Sequence, residues 1–100
     1  MPKLSFRDDL LQRLKVPKEA KGYLDAALAD GDPGLFLEAL KDVAEARGGM
    51  TAMAKKTHLH RTGLYRFFSN KGNPTYRNLR LVVQALGYRF KLDRSDKLAA

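Results

Sequence analysis

The sequence predicts an all-α domain that closes on one short C-terminal strand. Three observations predict it. Apolar residues recur at helical spacing through most of the 100 residues; Gly, Pro and good cap residues separate these runs; and the period drops to two only across 88–92. With 44% apolar residues, a chain of this length can fill one modest core and not a second.

Residues 1–17 read as an N-terminal extension. Ser5 followed by Asp8 has the serine-then-acid spacing of a helix start, and Phe6, Leu10, Leu11 and Leu14 follow at helical spacing until Pro17. Residues 18–87 form the main domain. From Lys18, a second helix carries Ala20, Leu24, Ala27 and Leu28 on one face, and Gly31 ends it. Asp32 is a good N-cap for the next helix, and Pro33 suits its first position, where a missing N–H costs nothing. "GDPG" is therefore a cap and not a phosphate loop, whose glycine spacing and Lys it lacks. Phe36, Leu40, Val43, Ala44 and Arg47 keep the 3.6-residue period until Gly48 and Gly49.

Two shorter runs follow, Met50 to about Thr57 and Arg61 to about Ser69, separated only by "HLH". This is helix-turn-helix spacing, with its core at 50–69. Thr75 can cap a last helix whose inner face is Leu79, Val82, Val83 and Leu86, closed by Gly87. In 88–100, Tyr88, Phe90 and Leu92 alternate with Arg89 and Lys91 as a short strand before a tail. A lone strand needs a partner, either residues 3–7 or a second subunit.

The formal charge of +8 is unevenly placed. Residues 1–45 hold seven Lys/Arg against nine Asp/Glu, residues 46–92 ten against none, and 93–100 two against two. So concentrated an excess favours a polyanionic partner. A membrane surface fits poorly, because turns and glycines interrupt the basic region where a continuous amphipathic helix would be needed. No apolar run approaches the roughly 18 residues of a membrane span, and no apolar core of a signal peptide follows Met1. The absence of cysteine removes disulfides and thiolate metal sites. A soluble cytoplasmic protein is expected.

No Ser/His/Asp, Cys/His or paired-acid cluster is visible, so no enzyme is expected and no cofactor is implied. His58 and His60 lack the further ligands a metal needs.

The stretch "TAMAKKTHLHRTGLYRFFSNKGNP", residues 51–74, has five Lys/Arg, two His and no acid. On a helical wheel from Arg61, Leu64, Phe67 and Phe68 cluster at about 240–340°, while Arg61, Thr62, Tyr65, Arg66 and Ser69 lie within about 0–140°. One face is core. The other offers guanidinium forks, hydroxyls and a phenol, groups that bond base edges and phosphates. His58 stands where a residue of positive φ is expected. Gly63, in mid-helix, costs about 1 kcal/mol against Ala. Close approach of another backbone would explain it, either the preceding helix or nucleic acid.

Residues 50–87, "MTAMAKKTHLHRTGLYRFFSNKGNPTYRNLRLVVQALG", resemble the lambda-repressor-like (XRE) helix-turn-helix family, with its small residue at Ala54 and its "NP" plus hydroxyl at Asn73, Pro74 and Thr75. Across roughly residues 20–92, "YLDAALADGDPGLFLEALKDVAEARGGM" followed by "GLYRFFSNKGNP" is similar to addiction-module antidote proteins, the HigA-like antitoxins. His58 replaces the family's turn glycine and His60 its capping serine.

The resemblance implies a five-helix DNA-binding fold and an antitoxin of a type II toxin–antitoxin module. Such a protein neutralises a RelE/ParE-like (HigB-type) toxin and represses its own operon, as a homodimer on double-stranded operator DNA. A stand-alone XRE-family regulator without a toxin is the alternative. The resemblance also implies that Arg61, Thr62, Tyr65 and Arg66 read bases in the major groove, and that Thr51, Lys55, Asn70, Lys71, Asn73 and Arg77 lie near phosphates. Bland readings stand beside these. Tyr65 could cover the core as a half-buried aromatic, and Lys55 and Lys71 could be solvated surface charges. The apolar residues Phe6, Leu10, Leu11 and Leu14 either contact the toxin or pack over their own domain.

Overall fold

In a computed structural model, which describes residues 5–69 and 73–95, six α-helices follow one another: α1 (Phe6–Leu14), α2 (Pro17–Asp30), α3 (Pro33–Ala46), α4 (Gly49–Thr57), α5 (Arg61–Phe68) and α6 (Tyr76–Ala85). Their ends follow from local chemistry. Ser5 closes a capping box on α1, its hydroxyl accepting from the Asp8 N–H at 3.0 Å while its own N–H donates to the Asp8 carboxylate. Asp32 accepts from the Gly34 N–H at 2.9 Å and Thr75 from the Asn78 N–H at 3.1 Å, so α3 and α6 each start on a side-chain cap. Pro17 begins α2 at its first position, directly after the turn that ends α1.

α3 is the hub. It carries Phe36, Leu37, Ala39, Leu40, Val43, Ala44 and Ala46 as buried residues, and it packs against α1, α2, α4 and α5. α4 in turn packs against α5 and α6. Leu40, Val43, Leu64 and Val82 are completely enclosed where these helices meet. Burial of each such side chain contributes about 1.5–3 kcal/mol, which is why the short helices α4 and α5 hold in place despite being marginal alone.

Gly48 joins α3 to α4 with a φ of 101°, and a Cβ there would lie 2.8 Å from that of Ala52. Both the backbone angle and the missing side chain are therefore required at this position.

Two placements differ from the sequence reading, and a third follows one of its two alternatives. The expected strand at 88–92 does not form, and no strand occurs among the described residues. The alternation holds only through Lys91: Tyr88 and Phe90 turn inward against the core and Arg89 and Lys91 are exposed, but Leu92, expected on the inner side, is 97% exposed. Among the described residues of the single chain, 88–92 has no ladder partner: of the suggested 3–7 segment, Ser5 is already a helix cap and Phe6 starts α1, while residues 3 and 4 lie outside the described residues. Leu28, read on the inner face of α2, is 49% exposed. The N-terminal segment also packs onto its own domain. Leu14 belongs to the core, Leu10 and Leu11 lie partly buried against it, and only Phe6 stands free, at 97% exposure.

Arg7 fastens α1 to α3 through Asp42 at 2.7 Å and through Glu45. None of the helices among the described residues is long and apolar enough to cross a membrane.

Candidate nucleic-acid interface

The site is built on α4, the connection 58–60 and α5. Thr57, the only buried polar residue among those described, closes α4: its hydroxyl donates to the Met53 carbonyl at 2.7 Å and accepts from the Leu59 N–H at 3.2 Å. That second bond reaches across the turn and sets its path. Sequence reading missed it, because a threonine at a helix end carries no signal of which groups it will span. His58 takes a φ of 61° and its N–H still donates to the Ala54 carbonyl, so the turn geometry expected of this position is found. Leu59 tucks partly against the core.

His60 takes the extended N-cap conformation, but its side chain accepts no hydrogen bond from α5. Only its carbonyl joins the helix, accepting from the Leu64 N–H at 3.0 Å. Below α5, Leu64, Phe67 and Phe68 are buried, with the two rings edge to face at 5.0 Å. This anchor turns the opposite face outward. Arg61, Thr62, Tyr65, Arg66 and Ser69 are all exposed, as the wheel predicts, and Gly63 is exposed beside them. Tyr65 is 53% exposed and is not among the residues packed against the core.

Of the positions expected near phosphates, Thr51 and Lys55 are exposed on α4, Asn73 is exposed before α6, and Arg77 is exposed in its first turn. Asn70 and Lys71 lie outside the described residues.

Gly63 resolves differently from one of its two explanations. A Cβ there would meet nothing within 4 Å among the described residues, so the preceding helix does not approach it closely.

The electrostatics are segregated. The four ion pairs among the described residues, Arg7 with Asp42 and with Glu45, Arg13 with Asp9, and Lys21 with Asp25, all lie within residues 7–45. Lys55, Lys56, Arg61, Arg66, Arg77 and Arg80 take part in none of them. The basic half thus presents unneutralised cations on a framework already held by its own core.

The sequence matches a family described as "probable addiction module antidote protein" over residues 6–94. The chain belongs to this family. Membership places it on the antitoxin side of a toxin–antitoxin pair and implies a toxin partner of some kind. An uncharacterized protein of Haemophilus influenzae is 34% identical over 87 residues, which cover 87% of this chain and 89% of that protein. No solved structure matches.

Proposed function

We propose that this chain is the antitoxin of a type II module that neutralises a RelE/ParE-like (HigB-type) toxin. In this reading it also represses its own operon by binding operator DNA as a homodimer, with a lambda-repressor-like use of α4 and α5, and has no catalytic role. One observation carries the DNA half: the face of α5 that displays Arg61, Thr62, Tyr65 and Arg66 is exposed, free of carboxylates and braced from behind by Leu64, Phe67 and Phe68. Two guanidinium forks on one helix face suit bidentate bonds to guanine in the major groove. The uncapped start of α5 offers its first amides to a phosphate, and Gly63 keeps that turn free of a side chain. A helix of this length spans only a few base pairs. A second subunit about 34 Å away would supply the other half-site.

The test is binding of the purified chain to its own upstream DNA across a salt series. Log K should fall by about 0.9 per contacted phosphate for each log unit of salt. Binding that ignores salt, or no binding at micromolar protein, would sink the proposal. The mass of the saturated complex, measured by analytical ultracentrifugation, should correspond to two chains per duplex.

A further inference from the structure

Helices α2 and α3 leave an open groove of about 260 Å³ between them. Its apolar lining comes from Ala26, Ala27 and Ala39, with Leu35 at its side still 39% exposed. Asp30 and Glu38 line the same groove; both are exposed, and neither takes part in an ion pair among the described residues. Tyr23 and Asp42 complete it. Glu38, Asp42 and Glu45 stand at i, i+4 and i+7 and so form one stripe along α3.

The chain itself indicates what such a stripe accepts. Arg7 reaches over from α1 and binds Asp42 and Glu45, while Glu38, one turn earlier, takes part in no ion pair among the described residues.

We propose that this groove is the docking site for a basic protein partner, one that inserts an apolar side chain between Ala26 and Leu35 and sets a Lys or Arg against Asp30 and Glu38. The inference rests on the antitoxin reading, and it locates the toxin contact on α2 and α3. Of the four α1 residues first considered for that contact, Leu14 is already in the core and Leu10 and Leu11 pack against it. Burying a small apolar floor supplies affinity, and the carboxylates select a cationic partner and speed encounter. A basic partner is also what distinguishes this surface from the α5 face, which repels it.

The experiment uses the full chain and the protein encoded beside its gene, with affinity measured by calorimetry. Leu35→Asp and Glu38→Lys should each weaken the complex by about tenfold or more, since the first sets a charge in the apolar contact and the second sets like charge against the partner's cation. Gln84→Lys, at an exposed position of α6 outside the groove lining, should change it little. Both groove positions are exposed, so the variants should keep the wild-type circular dichroism and DNA affinity.

If the groove variants bind that protein as tightly as the wild type, the groove is not the contact, although the antitoxin reading stands. If the wild type does not bind it at all, the antitoxin reading fails and the groove assignment goes with it. A variant that instead alters the chain's own mass in solution assigns the groove to a second copy and overturns the proposal.

Discussion

Arg47 donates from one guanidinium nitrogen to the Tyr88 hydroxyl at 2.8 Å and from the other to the Leu86 carbonyl at 2.7 Å. The same phenol donates to the Pro17 carbonyl at 2.8 Å. One pair of side chains thereby ties the end of α3 and the end of α6 to the start of α2, and it explains why the segment after α6 lies on the domain instead of seeking a ladder. Arg47→Ala should lower stability by about 2 kcal/mol, because hydrogen bonds to a charged group contribute more than neutral ones. Arg47→Lys should recover only part of this, since one ammonium lacks the fork that spans both acceptors. Urea midpoints at constant slope would measure both, and an unchanged midpoint for Arg47→Ala would remove the tie from the account.

Leu14 and Phe6 sit on the same helix with opposite fates. Leu14→Ala should cost about 2–5 kcal/mol as a core truncation, whereas Phe6→Asp should stay within about 0.5 kcal/mol. Thermal unfolding of both variants decides whether α1 is part of the folding unit; equal effects would contradict the burial difference.

Gly63 should separate stability from binding. With open space around its Cβ position, Gly63→Ala gains helix propensity and should stabilise the fold by up to about 1 kcal/mol. The same methyl group would obstruct a phosphate backbone drawn close to the start of α5. A higher melting temperature together with weaker operator binding is the expected pair of results. Unchanged operator affinity would mean that the backbone does not approach the duplex there.

Arg61 and Arg66 should behave unlike Lys55. A bidentate guanidinium discriminates bases by about 1–3 kcal/mol, whereas a phosphate contact reads no sequence. Arg61→Ala or Arg66→Ala should relax preference at particular base positions, and Lys55→Ala should weaken all sequences alike. Selection from a randomised operator library reads this directly, and unaltered preferences in both arginine variants would refute the groove assignment.

Tyr23 gives a pH signature. Its hydroxyl donates to Asp42 at 2.6 Å, and burial first, then that bond, push the phenol up to about 12 from 10.0. The unfolded chain therefore releases this proton before the folded one does. Stability that is present below pH 10 should be lost as pH rises through 12. Absorbance titration compared with Tyr23→Phe should assign a phenol still protonated at pH 11 to Tyr23. Asp42→Asn should lower its midpoint only in part, because burial is the larger cause.

Local features were legible in the order of the amino acids. The caps at Ser5, Asp32 and Thr75, the positive φ at His58 and the two faces of α5 all depend on residues within a turn or two of one another, where spacing and side-chain chemistry suffice. Tertiary structure alone decided what depends on a distant partner. How 88–92 lies on the domain turned on Arg47, 41 residues from Tyr88 in the chain, which holds that segment to the end of α3. Whether α1 stood free turned on the surface α3 offered to Leu14 and Arg7. Whether Gly63 touched a neighbour turned on how α5 leaned against α4. A periodic pattern states which face of an element must be covered; only the packed chain supplies the atoms that cover it.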